Sequence, residues 1–122
     1  MAIPPGAPIL VVEDEWIIAE AIAHWLRRWE CRVLGPAANV AAALALLEQE
    51  PPAAALLDAM LGREASFAVA DLLIARGVPF AFLSGHQVED LPPRYATCRL
   101  LNKPFSEAAL RIEIIALLGT SG

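Results

Sequence analysis

The chain has 122 residues, of which 57% are hydrophobic and 19% charged, which supports one compact domain with its own core and excludes intrinsic disorder. A formal net charge of -5 disfavours electrostatic attachment to nucleic acid, which needs lysine and arginine to neutralise phosphates. No apolar run approaches the roughly 20 residues of a membrane span, and Met1-Ala2-Ile3-Pro4-Pro5-Gly6 lacks the basic start and apolar segment of a secretory signal. A soluble cytoplasmic protein is expected, with residues 1–7 as a lead, one domain over 8–119 and a tail at 120–122. Cys31 and Cys98 show no metal-like spacing and read as free thiols.

Residues 9–12 are all aliphatic, which fits a strand buried on both faces, and they stop at Glu13-Asp14-Glu15. Ile17, Ile18, Ala21, Ile22, Trp25, Leu26 and Trp29 then recur at helical spacing, with Glu20, His24, Arg27 and Arg28 mostly opposite. Trp25 and Trp29 are expected to pack in the core, and an exposed Trp16 could meet a partner. Cys31-Arg32-Val33-Leu34 reads as a second strand ended by Gly35-Pro36, and Asn39 as the cap of a helix running through Leu44, Leu46 and Leu47 to Glu50. Residues 53–57 form a third apolar strand that delivers Asp58 at its end. After a loop carrying Gly62, Ser66 is expected to cap a helix bearing Val69, Leu72 and Leu73, which Gly77 ends. Residues 78–83 give a fourth strand reaching Ser84-Gly85. Residues 86–96, with Pro92-Pro93 and little periodicity, read as a loop with at most a poorly formed helix. Leu100-Leu101 is a short fifth strand leading to Lys103-Pro104, and Ser106 starts a last helix through Leu110, Ile114 and Leu118.

This alternation predicts an α/β fold: a doubly wound five-stranded parallel sheet with helices on both faces, joined by right-handed crossovers. Ligands of such sheets bind beyond the C-terminal strand ends. Glu13-Asp14, Asp58, Ser84 and Lys103 all fall there, after strands one, three, four and five. Converging carboxylates repel one another unless a cation joins them. Mg²⁺ suits that need, because it takes oxygen ligands and keeps several waters. Asp58 can then act as a nucleophile that forms an acyl phosphate, with Lys103 neutralising charge on the transferred oxygens and Ser84 donating a hydrogen bond to one of them. Taken singly, each residue has an ordinary explanation: acids begin helices, and Ser-Gly and Lys-Pro are commonplace turn pairs. Their joint placement on successive strand ends is what carries the chemistry.

The acidic pair after strand one, the Asp after strand three, the Ser after strand four and the Lys-Pro after strand five together resemble a response-regulator receiver domain along nearly the whole chain. That resemblance implies a CheY-like, flavodoxin-like (βα)5 fold. It further implies that Asp14 binds Mg²⁺ directly, Glu13 binds it through water, and Asp58 and the Met60 carbonyl complete the metal set. Asp58 would be phosphorylated, and Ser84 and Lys103 would contact the phosphoryl group. The implied protein is a stand-alone regulator that accepts its phosphoryl group from a sensor histidine kinase or a histidine phosphotransfer protein. It then acts on a downstream protein or serves as a phosphate sink. It is no enzyme beyond its own phosphorylation and dephosphorylation, and the face of its last helix is a candidate homodimer surface. Nucleic acid and membrane are not expected partners.

The chain departs from the family pattern at Leu100, where receivers often carry an aromatic switch. Val69-Ala70-Asp71, Ser84-Gly85-His86 and Asn102-Lys103-Pro104-Phe105 resemble the FAT GUY subgroup, mostly single-domain regulators. His86 is a candidate sensor of phosphorylation in place of the missing aromatic, His24 reads as a solvated side chain, and Phe105 as an anchor for the last helix. Two other functions compete. A haloacid-dehalogenase-like phosphatase needs a second acid two residues past the nucleophile, and Trp16 stands there after Asp14. A phosphorylation-independent binding module would explain Leu100 but not the intact acidic set.

Overall fold

The computed structural model of the protein describes residues 3–85 and 91–119. Its elements are β1 (Pro8–Val12), α1 (Trp16–Arg28), β2 (Arg32–Ala37), α2 (Val40–Gln49), β3 (Ala54–Asp58), β4 (Met60–Leu61), β5 (Glu64–Ala65), α3 (Phe67–Ala75), β6 (Phe80–Ser84), β7 (Arg99–Asn102) and α4 (Glu107–Gly119). Five strands pair in parallel in the order β2-β1-β3-β6-β7. The order reverses between β1 and β3, so the end of β1 lies beside the end of β3 at the point where such sheets bind ligands.

The aliphatic runs explain the layering. Along β1, Leu10 and Val12 face one cluster with Leu57, Val69, Leu73, Phe82 and Tyr95, on the α2 and α3 side. Ile9 and Val11 face the other, with Ile22, Leu26, Leu56, Leu83, Leu110 and Ile114, on the α1 and α4 side. A strand that is apolar on both faces fits only a sheet covered on both sides. Trp25 and Trp29 are half-buried against the second cluster, whereas Trp16 is 73% exposed.

Local signals act as their chemistry dictates at several ends. The Asn39 side chain accepts from the Ala42 N–H at 2.8 Å, and the Ser106 hydroxyl accepts from Ala109 N–H at 3.1 Å. Gly77, past α3, takes φ 70°. Ahead of β1, Ile3 and Ala7 are buried, and the Gly6 N–H donates to Glu30 O at 2.7 Å. Cys31 and Cys98 are unpaired, and no helix among the described residues is long and apolar enough to cross a membrane.

Three local expectations are corrected. Gly35-Pro36 does not end the second strand, which continues to Ala37; β2 is an edge strand, and its pairing with β1 shifts register between Leu34 and Ala37, so the proline sits at an irregularity of the ladder. Ser66 precedes α3 without capping it. It is fully buried, and its hydroxyl donates to Ala59 O at 3.2 Å instead. The loop after Asp58 is a small antiparallel hairpin of β4 and β5, with Met60 paired to Ala65 and Leu61 to Glu64. In the proline-rich stretch, a single 3-10 turn at Pro93–Tyr95 is present; residues 86–90, His86 among them, lie outside the described residues.

Candidate functional site

Sheet register sets the site. Val12 pairs with Leu57, Asp58 with Leu83, and Ser84 with Asn102, so the chain leaves β1, β3, β6 and β7 along one rim. Glu13 is held there because its N–H donates to Ala37 O at 2.9 Å, and its Oε2 accepts from the Glu15 N–H at 3.1 Å. Its side chain is buried, while Asp14 beside it is exposed. Asp58, also buried, accepts at Oδ1 from the Met60 N–H at 3.3 Å.

Lys103 draws these acids together. Its N–H donates to Ser84 O at 2.6 Å, which fixes the base of the side chain against β6. The ammonium then reaches Glu13 Oε1 at 2.6 Å, Asp58 Oδ2 at 2.8 Å and Glu15 Oε1 at 3.1 Å. The contact with Glu13 has no hydrogen-bond geometry, and Glu13 Oε1 is left buried without a hydrogen-bond partner. Burial pushes the Glu13 carboxyl up to about 8; the nearby Asp58 carboxylate adds to that rise and Lys103 offsets part of it. Burial is thus the larger cause, ahead of the repulsion that the sequence suggests. The Lys103 ammonium is desolvated too, yet its pKa lies above the ordinary lysine value because Asp58 and Glu13 stabilise the charge.

Glu13, Asp14 and Asp58 each offer a carboxylate oxygen, all within 4.8 Å of one another. Three hard oxygen donors, one of them a buried oxygen with no hydrogen bond, fit a small divalent cation such as Mg²⁺. The β4–β5 turn abuts this set, since a Cβ added at Gly62 would lie 3.9 Å from Asp14 Oδ2. Met60 itself has its side chain about half exposed at the rim. Ser84 is buried at the end of β6. Leu100, where an aromatic was missing, is half-buried opposite Phe82 and packs in the core.

Two groupings were not anticipated from the residues. Glu15 joins the lysine, although a third acid in a row has no spacing that marks it. Tyr95 is buried in the 3-10 turn, its hydroxyl donating to Asp71 Oδ1 at 2.6 Å; Arg94 pairs with the same carboxylate and lies over the Tyr95 ring at 4.6 Å. Together they tie the segment before β7 to α3.

Residues 9–115 match the family profile of the response regulator receiver domain. None of the curated proteins searched is similar in sequence. Among solved structures, SdrG from Sphingomonas melonis Fr1 superposes with a TM-score of 0.81 at 35% identity, over 93% of this chain and 97% of that one. SdrG in its BeF3-activated conformation gives a TM-score of 0.78 at 35% identity, over 95% of this chain and 99% of that one. NtrX from Brucella abortus, solved with ADP, gives a TM-score of 0.84 at 27% identity, over 95% of this chain but 28% of that longer one. With that profile match and the shared fold, the chain belongs to the receiver domains of two-component response regulators.

Proposed function

We propose that this receiver is a stand-alone, cytoplasmic relay component that accepts a phosphoryl group on Asp58 from a phosphohistidine of a sensor kinase or phosphotransfer protein. The observation that carries this reading is the Lys103 ammonium seated 2.8 Å from Asp58 Oδ2, at a strand end where a donor can approach. In the transfer, an Asp58 carboxylate oxygen forms the new P–O bond as the P–N bond to the donor imidazole breaks, the electron pair staying on nitrogen. Lys103 moves its charge onto the incoming phosphoryl oxygens, and the Ser84 hydroxyl donates to one of them. Glu13, Asp14, Asp58 and the Met60 carbonyl are the groups assigned to Mg²⁺. When bound, the ion neutralises charge on the phosphoryl oxygens.

The rim supports a protein donor. Trp16 and Ile17 are 73% and 67% exposed at the start of α1, and a groove of about 420 Å³ runs between Ile17, Trp25, Pro104 and Phe105 beside Lys103. Exposed apolar groups around a charged centre suit docking of another protein. The sequences around Asp71, Ser84 and Lys103 support placement in the FAT GUY subgroup. Phosphorylation adds charge of roughly -1.5 to -2; the surface changed by drawing Ser84 and Lys103 inward would act on a downstream protein, or the chain would act as a phosphate sink. On α4, exposed Ile112 marks the face assigned to self-association.

The test is transfer from a radiolabelled histidine phosphotransfer protein to the purified chain in Mg²⁺. Label that moves to the wild type, is released by hydroxylamine as an acyl phosphate, and fails to reach Asp58→Asn is the expected result. Label that stays on every donor tried, while acetyl phosphate also leaves Asp58 unmodified, would leave a phosphorylation-independent binding module.

A further inference from the structure

Glu15 stands at the N-cap position of α1, where an acid ordinarily accepts backbone N–H bonds, yet its side chain makes no cap. Its carboxylate turns instead to the Lys103 ammonium at 3.1 Å. The four charged side chains form a gradient of exposure: Glu13 0%, Asp58 9%, Lys103 13% and Glu15 61%. Glu15 therefore covers the lysine from the solvent side, and it also lines the groove with Ile17, Lys103 and Phe105. A phosphoryl group entering from solvent meets this carboxylate before it meets the ammonium.

We propose that Glu15 selects among phosphodonors, by holding Lys103 at the mouth of the site and opposing the entry of small anionic ones. It is a positioning residue that acts through Lys103, and the proposal rests on Asp58 as the phosphoryl acceptor. A small donor brings its full negative charge past Glu15 in water, where like charges a few ångströms apart repel. A protein donor excludes water over the groove and compensates that repulsion with contact area. Acetyl phosphate reacts as Asp58 oxygen bonds to phosphorus and acetate leaves with the electron pair, so the donor's charge is the variable to change.

The experiment compares wild type, Glu15→Gln and Glu15→Asp by intact mass over time with acetyl phosphate, which is strongly anionic, and with phosphoramidate, which is less negative at neutral pH. Glu15→Gln is expected to raise the acetyl phosphate rate about three- to tenfold, with a smaller gain for phosphoramidate. Glu15→Asp should stay near wild type, thermal unfolding should be unchanged, and the acetyl phosphate gain should shrink at high ionic strength. A purely structural role would not separate donors by charge. Wild type modified while Glu15→Gln is no faster, or equally faster with both donors, overturns the role of Glu15 and leaves Asp58 as acceptor. If neither protein is ever modified, the acceptor reading fails. The donor selection assigned to Glu15 then falls with it.

Discussion

Replacing Lys103 with methionine keeps most of the aliphatic stem and removes the ammonium that now meets Glu13, Asp58 and Glu15. Two carboxyl groups, 0% and 9% exposed in their side chains, are then left facing each other. Breaking a buried ion pair by removing one partner costs about 3–5 kcal/mol. Here Glu13 limits that cost, because its carboxyl is already pushed up to about 8 and holds a proton at neutral pH. The expected loss at pH 7 is about 2–3 kcal/mol. For a domain of this size that lowers Tm by roughly 8–12 °C. A carboxyl whose folded pKa lies above its unfolded value contributes stability that is present below the unfolded pKa and lost as pH rises through the folded one. In the wild type the Glu13 contribution is therefore lost between the ordinary glutamate value of 4.5 and about 8. Without the lysine the folded value climbs further, so the gap between variant and wild type should widen above pH 8. Mg²⁺ should restore the variant more than it stabilises the wild type. Thermal and urea unfolding followed by circular dichroism, with and without Mg²⁺ across pH, reads all of this. A gap below about 0.5 kcal/mol at pH 7, or equal stabilisation of both proteins by Mg²⁺, would refute the view that Lys103 is the internal counter-ion of the acidic set.

Mg²⁺ binding must ionise Glu13, so affinity measured by calorimetry should rise with pH up to about 8, by no more than roughly tenfold per pH unit, and then level; an affinity flat across that window would contradict the raised Glu13. Tyr95→Phe removes the hydroxyl bonded to Asp71 and to Phe67 O and should cost about 1 kcal/mol in urea unfolding, while the buried ring keeps its packing. Gly35→Ala should cost at least about 2 kcal/mol, because Gly35 has φ 100° and an added Cβ would lie 2.7 Å from Ala37 N and 2.9 Å from Val11 O; a midpoint equal to wild type would show that the β2 backbone can relax there.

How much was legible follows from pattern length. The runs ending in Glu13 and Asp58 are apolar at every position because both sheet faces are covered, so strand identity and the acids at their ends could be read directly. Lys103 was legible because Pro104 and a short apolar run place it at the last strand end. The β4–β5 hairpin was not, since two-residue strands carry no periodicity. Ser66 has the residue type of a cap, and only its full burial against Ala59 diverts the hydroxyl. Pro36 signals a strand end unless the strand is known to lie at the sheet edge, which is a property of topology. The Tyr95, Asp71 and Arg94 grouping joins residues more than 20 positions apart through one aromatic in a proline-rich stretch, and no local rule announces it. Glu15 stayed hidden for a related reason: its partner is 88 residues away.

Asp58 is proposed to accept a phosphoryl group in a pocket organised by Lys103 and the acidic set. Intact mass after incubation with Mg²⁺ and acetyl phosphate tests it most directly, with Asp58→Asn and a metal-free sample alongside. One added phosphoryl group is expected on the wild type and none on either control. Addition to Asp58→Asn would place the acceptor elsewhere, and a wild type that binds Mg²⁺ yet stays unmodified by every donor would contradict the claim.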